Sequence, residues 1–133
     1  GRISGRGVLM ARFGEGAEGL PVAVAHLSLG ANSRRSQLAF IGELLSDHPH
    51  AVLMGDFNCV PDTPEMDLLY KRTRLRPPAF CVPTFPSWRP QRAIDHILVS
   101  EGLRADNARA MPAANSDHLA LAMDIHVPDS ALR

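Results

Sequence analysis

The chain has 133 residues, enough for one domain with a real core and too few for two. Its 45% apolar and 21% charged residues are the balance of a soluble globular protein, and its 14 basic and 14 acidic side chains cancel. That neutrality argues against nucleic-acid binding by overall field and leaves only local patches.

Cys59 and Cys81 lack the spacing of a disulfide framework or a metal finger, so a reducing compartment, the cytoplasm, is the expected location. No apolar run is long enough for a bilayer, and no signal-peptide pattern opens the sequence. Gly7–Phe13 and Leu20–Leu29 are apolar stretches separated by the Gly-rich turn Gly14–Gly19, the pattern of a β-hairpin. His26 stands at the end of the second strand. Asn32 or Ser33 can cap a helix to about Ser46, with Leu38, Ile41 and Leu45 at helical spacing. Arg34 and Arg35 fall in its first turn, where the dipole disfavours cations by under about 1 kcal/mol. They are read as solvated, contact with an anion being the alternative.

Ala51–Asn58 (AVLMGDFN) follows, and the rest of the chain is organised around it. A short apolar run ended by a glycine is a buried strand reaching the rim of its sheet. If the strand persists, Asp56 and Asn58 project on one side and Phe57 points inward. Alone, the pair could equally be ordinary turn residues. Thr63-Pro64-Glu65 starts a second helix, to about Lys71, by a capping hydroxyl and a proline at the first helical position. Lys71, Arg72, Arg74 and Arg76 suit its carboxyl end and are read as solvated rather than as a phosphate patch. Pro77–Pro90 is a long loop holding five prolines, Thr84, Phe85 and the single tryptophan, Trp88. Loops of that length in small domains are commonly functional. Ile94–Val99, Ala105–Ala110 and Leu119–Val127 are strands, with the turn Asn115–His118 before the last. The order implies one α/β (α+β) domain over residues 1–133, without internal repeats.

Polar residues recur at these strand ends: His26, Asp56, Asn58, Asp95 and the pair Asp117–His118. Each has a plain reading: Asp95 could pair with Arg92, and the others could be hydrogen-bonded turn residues. His48, His50 and His126 have no such company. Together, carboxylates and an amide oxygen are the hard donor set that Mg²⁺ or Mn²⁺ prefers. A histidine oriented by a buried aspartate is a group held ready for proton transfer or charge stabilisation.

The ordered segments HLSL (His26–Leu29), MGDFN (Met54–Asn58), TFPSW (Thr84–Trp88), RAIDHILVS (Arg92–Ser100) and SDHLAL (Ser116–Leu121) resemble the carboxyl-terminal portion of the endonuclease/exonuclease/phosphatase superfamily, the deoxyribonuclease-I-like metal-dependent hydrolases. The resemblance spans His26 to about Ile125. It implies part of a four-layer α/β-β/α sandwich with mixed, largely antiparallel sheets. It also implies hydrolysis of a phosphoester by in-line water attack with Mg²⁺ or Mn²⁺. By position, Asp117 matches the family's metal-binding aspartate, with possible contribution from Asp56 and Asn58. His118 matches the catalytic histidine and Asp95 its partner. Asp56 matches the residue that orients the attacking water, Asn58 a phosphoryl contact, and His26 a phosphate contact or leaving-group acid. No catalytic role carries onto Thr84 or Trp88. The implied partner is a phosphoester substrate: nucleic acid, a phospholipid headgroup or a small phosphodiester.

The family also has a metal-binding glutamate in an amino-terminal half that nothing here matches. Glu15, Glu18, Glu43, Glu65 and Glu101 do not fit its pattern. The sequence therefore reads as a fragment, completed by a missing amino-terminal segment or a partner chain. The alternative to an enzyme is an incomplete, catalytically inactive or partner-dependent module.

Overall fold

The computed structural model describes residues 7–15 and 19–132. The turn read at Gly14–Gly19 falls in part on residues 16–18, outside them. Strands β1 (Val8–Phe13) and β2 (Leu20–His26) form the expected antiparallel hairpin. From β2 the chain crosses through helix α1 (Ala31–Leu45) into β3 (Val52–Asp56), which lies parallel to β2. A parallel neighbour needs such a crossover, since a tight turn can only reverse the chain. Helix α2 (Pro64–Arg72) packs on α1, and β4 (Asp95–Val99) pairs antiparallel with β3. The result is a mixed four-stranded sheet of order β1-β2-β3-β4. Strands β5 (Arg104–Met111) and β6 (Ala120–His126) form a separate antiparallel ribbon, irregular between Asp106 and Arg109.

Alternation along the strands separates two cores. Ala23, Ala25, Leu53 and Leu98 meet Leu38, Ile41, Leu45, Met66 and Leu69 of the helices. On the opposite face Val22, Val52, Met54, Ile97 and Val99 meet Ile125 and Val127 of the ribbon's end. The layers are thus helices, sheet and ribbon, the expected mixed and largely antiparallel α/β arrangement. The ribbon leans on β4, so among the described residues nothing covers the far part of that face. Leu9, Phe13 and Val24 are exposed there, Leu9 by 74%.

The second helix begins as its sequence implies: Thr63 Oγ1 accepts from Met66 N at 3.3 Å and Pro64 takes the first helical position. The first does not. Its cap is Gly30, with no side-chain cap, and Asn32 and Ser33 lie inside the first turn. The chain is already turned before them, because Gln37 Oε1 accepts from Ser28 N and Arg34 donates to the Ser28 and Leu29 carbonyls. Arg34 is therefore not solvated. Its Nε and Nη2 donate to Glu65 Oε1 at 3.0 and 2.9 Å, both side chains being nearly buried. The cations after α2 do stay at the surface, where Arg74 and Arg76 lie 3.8 and 3.3 Å from Glu101.

Candidate active site

Strand register builds the floor of the site. His26 lies opposite Asp56, and Asp56 opposite Asp95, one row across β2, β3 and β4. The parallel crossover makes β2 and β3 end at the same edge, and antiparallel β4 begins there. Gly55 lets the strands close up under this row. Its φ is +144°, and a Cβ there would stand 1.8 Å from the Ala25 carbonyl oxygen. Phe57, as expected, turns inward and is fully buried, its ring edge-on to His96 at 5.2 Å.

His118 arrives over this row from the turn before β6. His118 N donates to Ser116 Oγ at 3.1 Å, Leu119 N to the Thr84 carbonyl at 2.8 Å, and Ser87 N to the Asp117 carbonyl at 2.7 Å. The imidazole then meets Asp95, with Nδ1 to Oδ2 at 2.7 Å. A carboxylate only accepts, so this contact keeps the proton on Nδ1 and leaves Nε2 toward the site. Nε2 lies 3.7 Å from Asp56 Oδ2, and His26 Nε2 approaches the same oxygen at 3.4 Å. Burial pulls the His118 pKa down. The hydrogen bond and charge of Asp95 outweigh it, with Asp56 and Asp117 adding, and hold the imidazolium above its ordinary range.

Three features differ from the sequence expectation or were absent from it. First, the strand ends at Asp56, so Asn58 does not alternate beside it. Asn58 takes φ +51°, donates its backbone N–H to Asp56 Oδ1 at 2.9 Å, and donates Nδ2 to the Leu27 carbonyl at 2.7 Å. Its N–H is the donor in the first of these, a turn closed by its own aspartate. Second, Asp95 binds His118, the partner the resemblance implies, and not Arg92; the unexpected part is Thr84, fully buried, which donates its hydroxyl to the same Oδ2. Third, Phe85 packs on His118 with centroids 4.8 Å apart. A threonine and a phenylalanine in a proline-rich loop carry no local signal of these contacts; only the neighbouring TFPSW wording pointed to the loop.

Asp117 is exposed and makes no side-chain hydrogen bond among the described residues. One ligand atom each from Asp56, Asp95 and His118 falls within 4.8 Å of the others. Asp95 Oδ2 is already taken by Thr84 and His118, which makes it an orienting group. Of the carboxylates expected to hold Mg²⁺ or Mn²⁺, Asp56 belongs to this trio and Asp117 does not; the Asp56 carboxylate oxygen is the hard donor such an ion takes. Buried His96 is structural: burial pulls its pKa down, and its Nε2 lies 2.8 Å from the Cys59 carbonyl.

The family model for the Endonuclease/Exonuclease/phosphatase family matches residues 6–118. No curated protein matches the chain. Among solved structures, an endonuclease/exonuclease/phosphatase from Beutenbergia cavernae superposes with a TM-score of 0.73 at 20% identity, covering 92% of this chain and 39% of that one. A mannosyl-6-phosphatase from Bacteroides thetaiotaomicron gives 0.61 at 17%, covering 82% and 52%. A Staphylococcus aureus beta toxin mutant with bound magnesium ions gives 0.58 at 16%, covering 89% and 57%. The chain thus spans about half the length of the solved structures it matches.

Proposed function

Because this chain belongs to the endonuclease/exonuclease/phosphatase family, we propose that it supplies the His–Asp half of a divalent-metal-dependent phosphoester hydrolase. The observation that carries the reading is the fan of three side chains about Asp56. His26 and His118 approach one oxygen of Asp56 from two sides, and Asp95 fixes the far nitrogen of His118. A carboxylate between two imidazoles can orient a water for in-line attack and take its proton. His118, its pKa held up by Asp95, presents an imidazolium to the developing negative charge on the phosphoryl oxygens. Asn58 has its amide nitrogen committed to the Leu27 carbonyl, which leaves its oxygen as the group it can offer a ligand. His26, exposed at the rim, would protonate a leaving alkoxide. Asp117, with Asp56 and the Asn58 oxygen, would hold Mg²⁺ or Mn²⁺, which would supply positive charge against the phosphoryl oxygens. The magnesium ions of the similar beta toxin structure support that choice of ion.

The test is release of nitrophenolate from bis(p-nitrophenyl) phosphate with Mg²⁺ or Mn²⁺, and its abolition by EDTA. Asp56→Ala and His118→Ala should each lower the rate by about 10²–10⁴-fold; wild-type rates in both variants would sink the reading. A second reading has its own observation. The bare apolar sheet face at Leu9, Phe13 and Val24 suits a module that works only when another segment or chain covers it. Calorimetric titration of Mg²⁺ into this chain separates the two: absence of both binding and turnover favours the dependent module, and turnover defeats it.

No helix among the described residues is long and apolar enough to cross a membrane.

A further inference from the structure

The loop between α2 and β4 carries a surface that the hydrolytic chemistry leaves unused. Phe85 and Arg92 form an isolated antiparallel bridge, closed by Arg92 N and Gln91 N donating to the Phe85 carbonyl at 3.0 and 3.1 Å. The segment between them is fastened to the wall of the site. Ser87 donates its N–H to the Asp117 carbonyl and its hydroxyl to the Ser116 carbonyl, at 2.7 and 2.8 Å, while Phe85 packs on His118. Trp88 is the next residue. It is 76% exposed, although an indole is among the costliest side chains to leave in water. Arg89 and Arg92 beside it are exposed and, like Arg35 and Lys71 elsewhere, have no carboxylate partner among the described residues, but they alone of these flank an exposed aromatic ring at the wall of the site. The Arg92 guanidinium rests instead against the Phe85 ring, 5.9 Å from its centroid, one aromatic ring away from His118.

Resting on the hydrolase reading above, we propose that Trp88, Arg89 and Arg92 form a platform for a nucleobase and its flanking phosphates. The phosphoester presented to Asp56 and His118 then belongs to single-stranded nucleic acid. An exposed flat ring stacks on any base, and unpaired guanidiniums beside it take the phosphates on either side. A lipid surface fits less well. A membrane-entering loop presents a contiguous apolar face, and Trp88 is flanked by Ser87, Arg89, Pro90 and Gln91. The neutral net charge of the chain makes these cations a local device rather than part of a general field.

Trp88 is the only tryptophan, so intrinsic fluorescence reads this loop alone. The probe is a short oligothymidylate with phosphorothioate linkages, added in EDTA so that it binds without turnover. It should quench the fluorescence saturably, and an abasic oligomer with the same phosphates should not. In anisotropy with a labelled oligomer, Trp88→Ala should weaken binding at least about fivefold and Trp88→Phe should restore most of it. Arg89→Ala and Arg92→Ala should each reduce the slope of log affinity against log salt by about 0.7. Equal quenching by the abasic oligomer, or a blue shift with anionic phosphatidylserine vesicles and none with the oligomer, would overturn the platform. Specific quenching by a chain inactive on bis(p-nitrophenyl) phosphate would leave the platform standing and remove the hydrolase reading; turnover without quenching would do the reverse.

Discussion

Asp95 Oδ2 accepts from both Thr84 and His118, so one carboxylate oxygen fixes a loop and an imidazole ring together. Asp95→Asn keeps the size and loses the obligate acceptor. The amide can then turn an N–H toward Nδ1 and select the wrong tautomer. Turnover of bis(p-nitrophenyl) phosphate should fall by about 10²-fold or more, with the far-UV spectrum unchanged. Gly55 is a residue-scale constraint of another kind. With φ at +144° and the Ala25 carbonyl in the place of its missing side chain, Gly55→Ala should cost roughly 3 kcal/mol in urea unfolding. At this scale the sequence displays residue types and hides partners. Phe57 pointing inward follows from alternation, and it does. The left-handed turn at Asn58 does not, because it depends on a carbonyl of Leu27, 31 residues earlier. Thr84 is silent for the same reason: its partner is a strand away.

The Arg34–Glu65 pair joins the first turn of α1 to the first turn of α2, and with them the two loops that leave β2 and β3 at the site. The arginine sits against its own helix dipole, and the carboxylate lies with its own. Burial pushes the Glu65 pKa up, but its backbone N–H, the Arg34 guanidinium and the Thr63 hydroxyl together bring it below its ordinary 4.5. A carboxyl depressed in the folded state stabilises fully above its unfolded pKa and loses that contribution as pH falls through the folded value. Glu65→Gln should therefore cost roughly 3 kcal/mol at neutral pH by leaving the guanidinium buried without its charge partner. That gap to the wild type should close on acidification below pH 4.5, as followed by urea midpoints across a pH series. Helix existence was readable from the Leu38–Ile41–Leu45 stripe and from Thr63-Pro64. The early start of α1 was not, because Gly30 becomes a cap only once Gln37 and Arg34 have turned the chain ahead of it.

Across the molecule, helices cover one face of the sheet and the ribbon covers part of the other, which leaves β1 as an apolar edge. An exposed edge strand that carries one charge, Arg12, among apolar side chains is a template for pairing with another chain. Replacing Leu9 and Phe13 together by lysine should lower self-association in light scattering and leave the urea midpoint within about 0.5 kcal/mol of wild type. The order of elements was legible because apolar runs and helical spacing are local, whereas the mixed sheet was implied only by the family resemblance. The distribution of layers was not, since which strand face meets the ribbon depends on residues about a hundred positions apart, such as Val22 and Ile125, joining one apolar cluster. The row His26–Asp56–Asp95 has a consequence for how the site comes into being. Each member sits on a different strand, and side chains alternate with a period of two. A slip of one residue in either pairing would turn one member toward the helices and put an apolar neighbour in its place. The site is therefore an alignment gauge for the sheet: it is whole when three strands have locked in step, and no partly registered intermediate along the folding route can carry it.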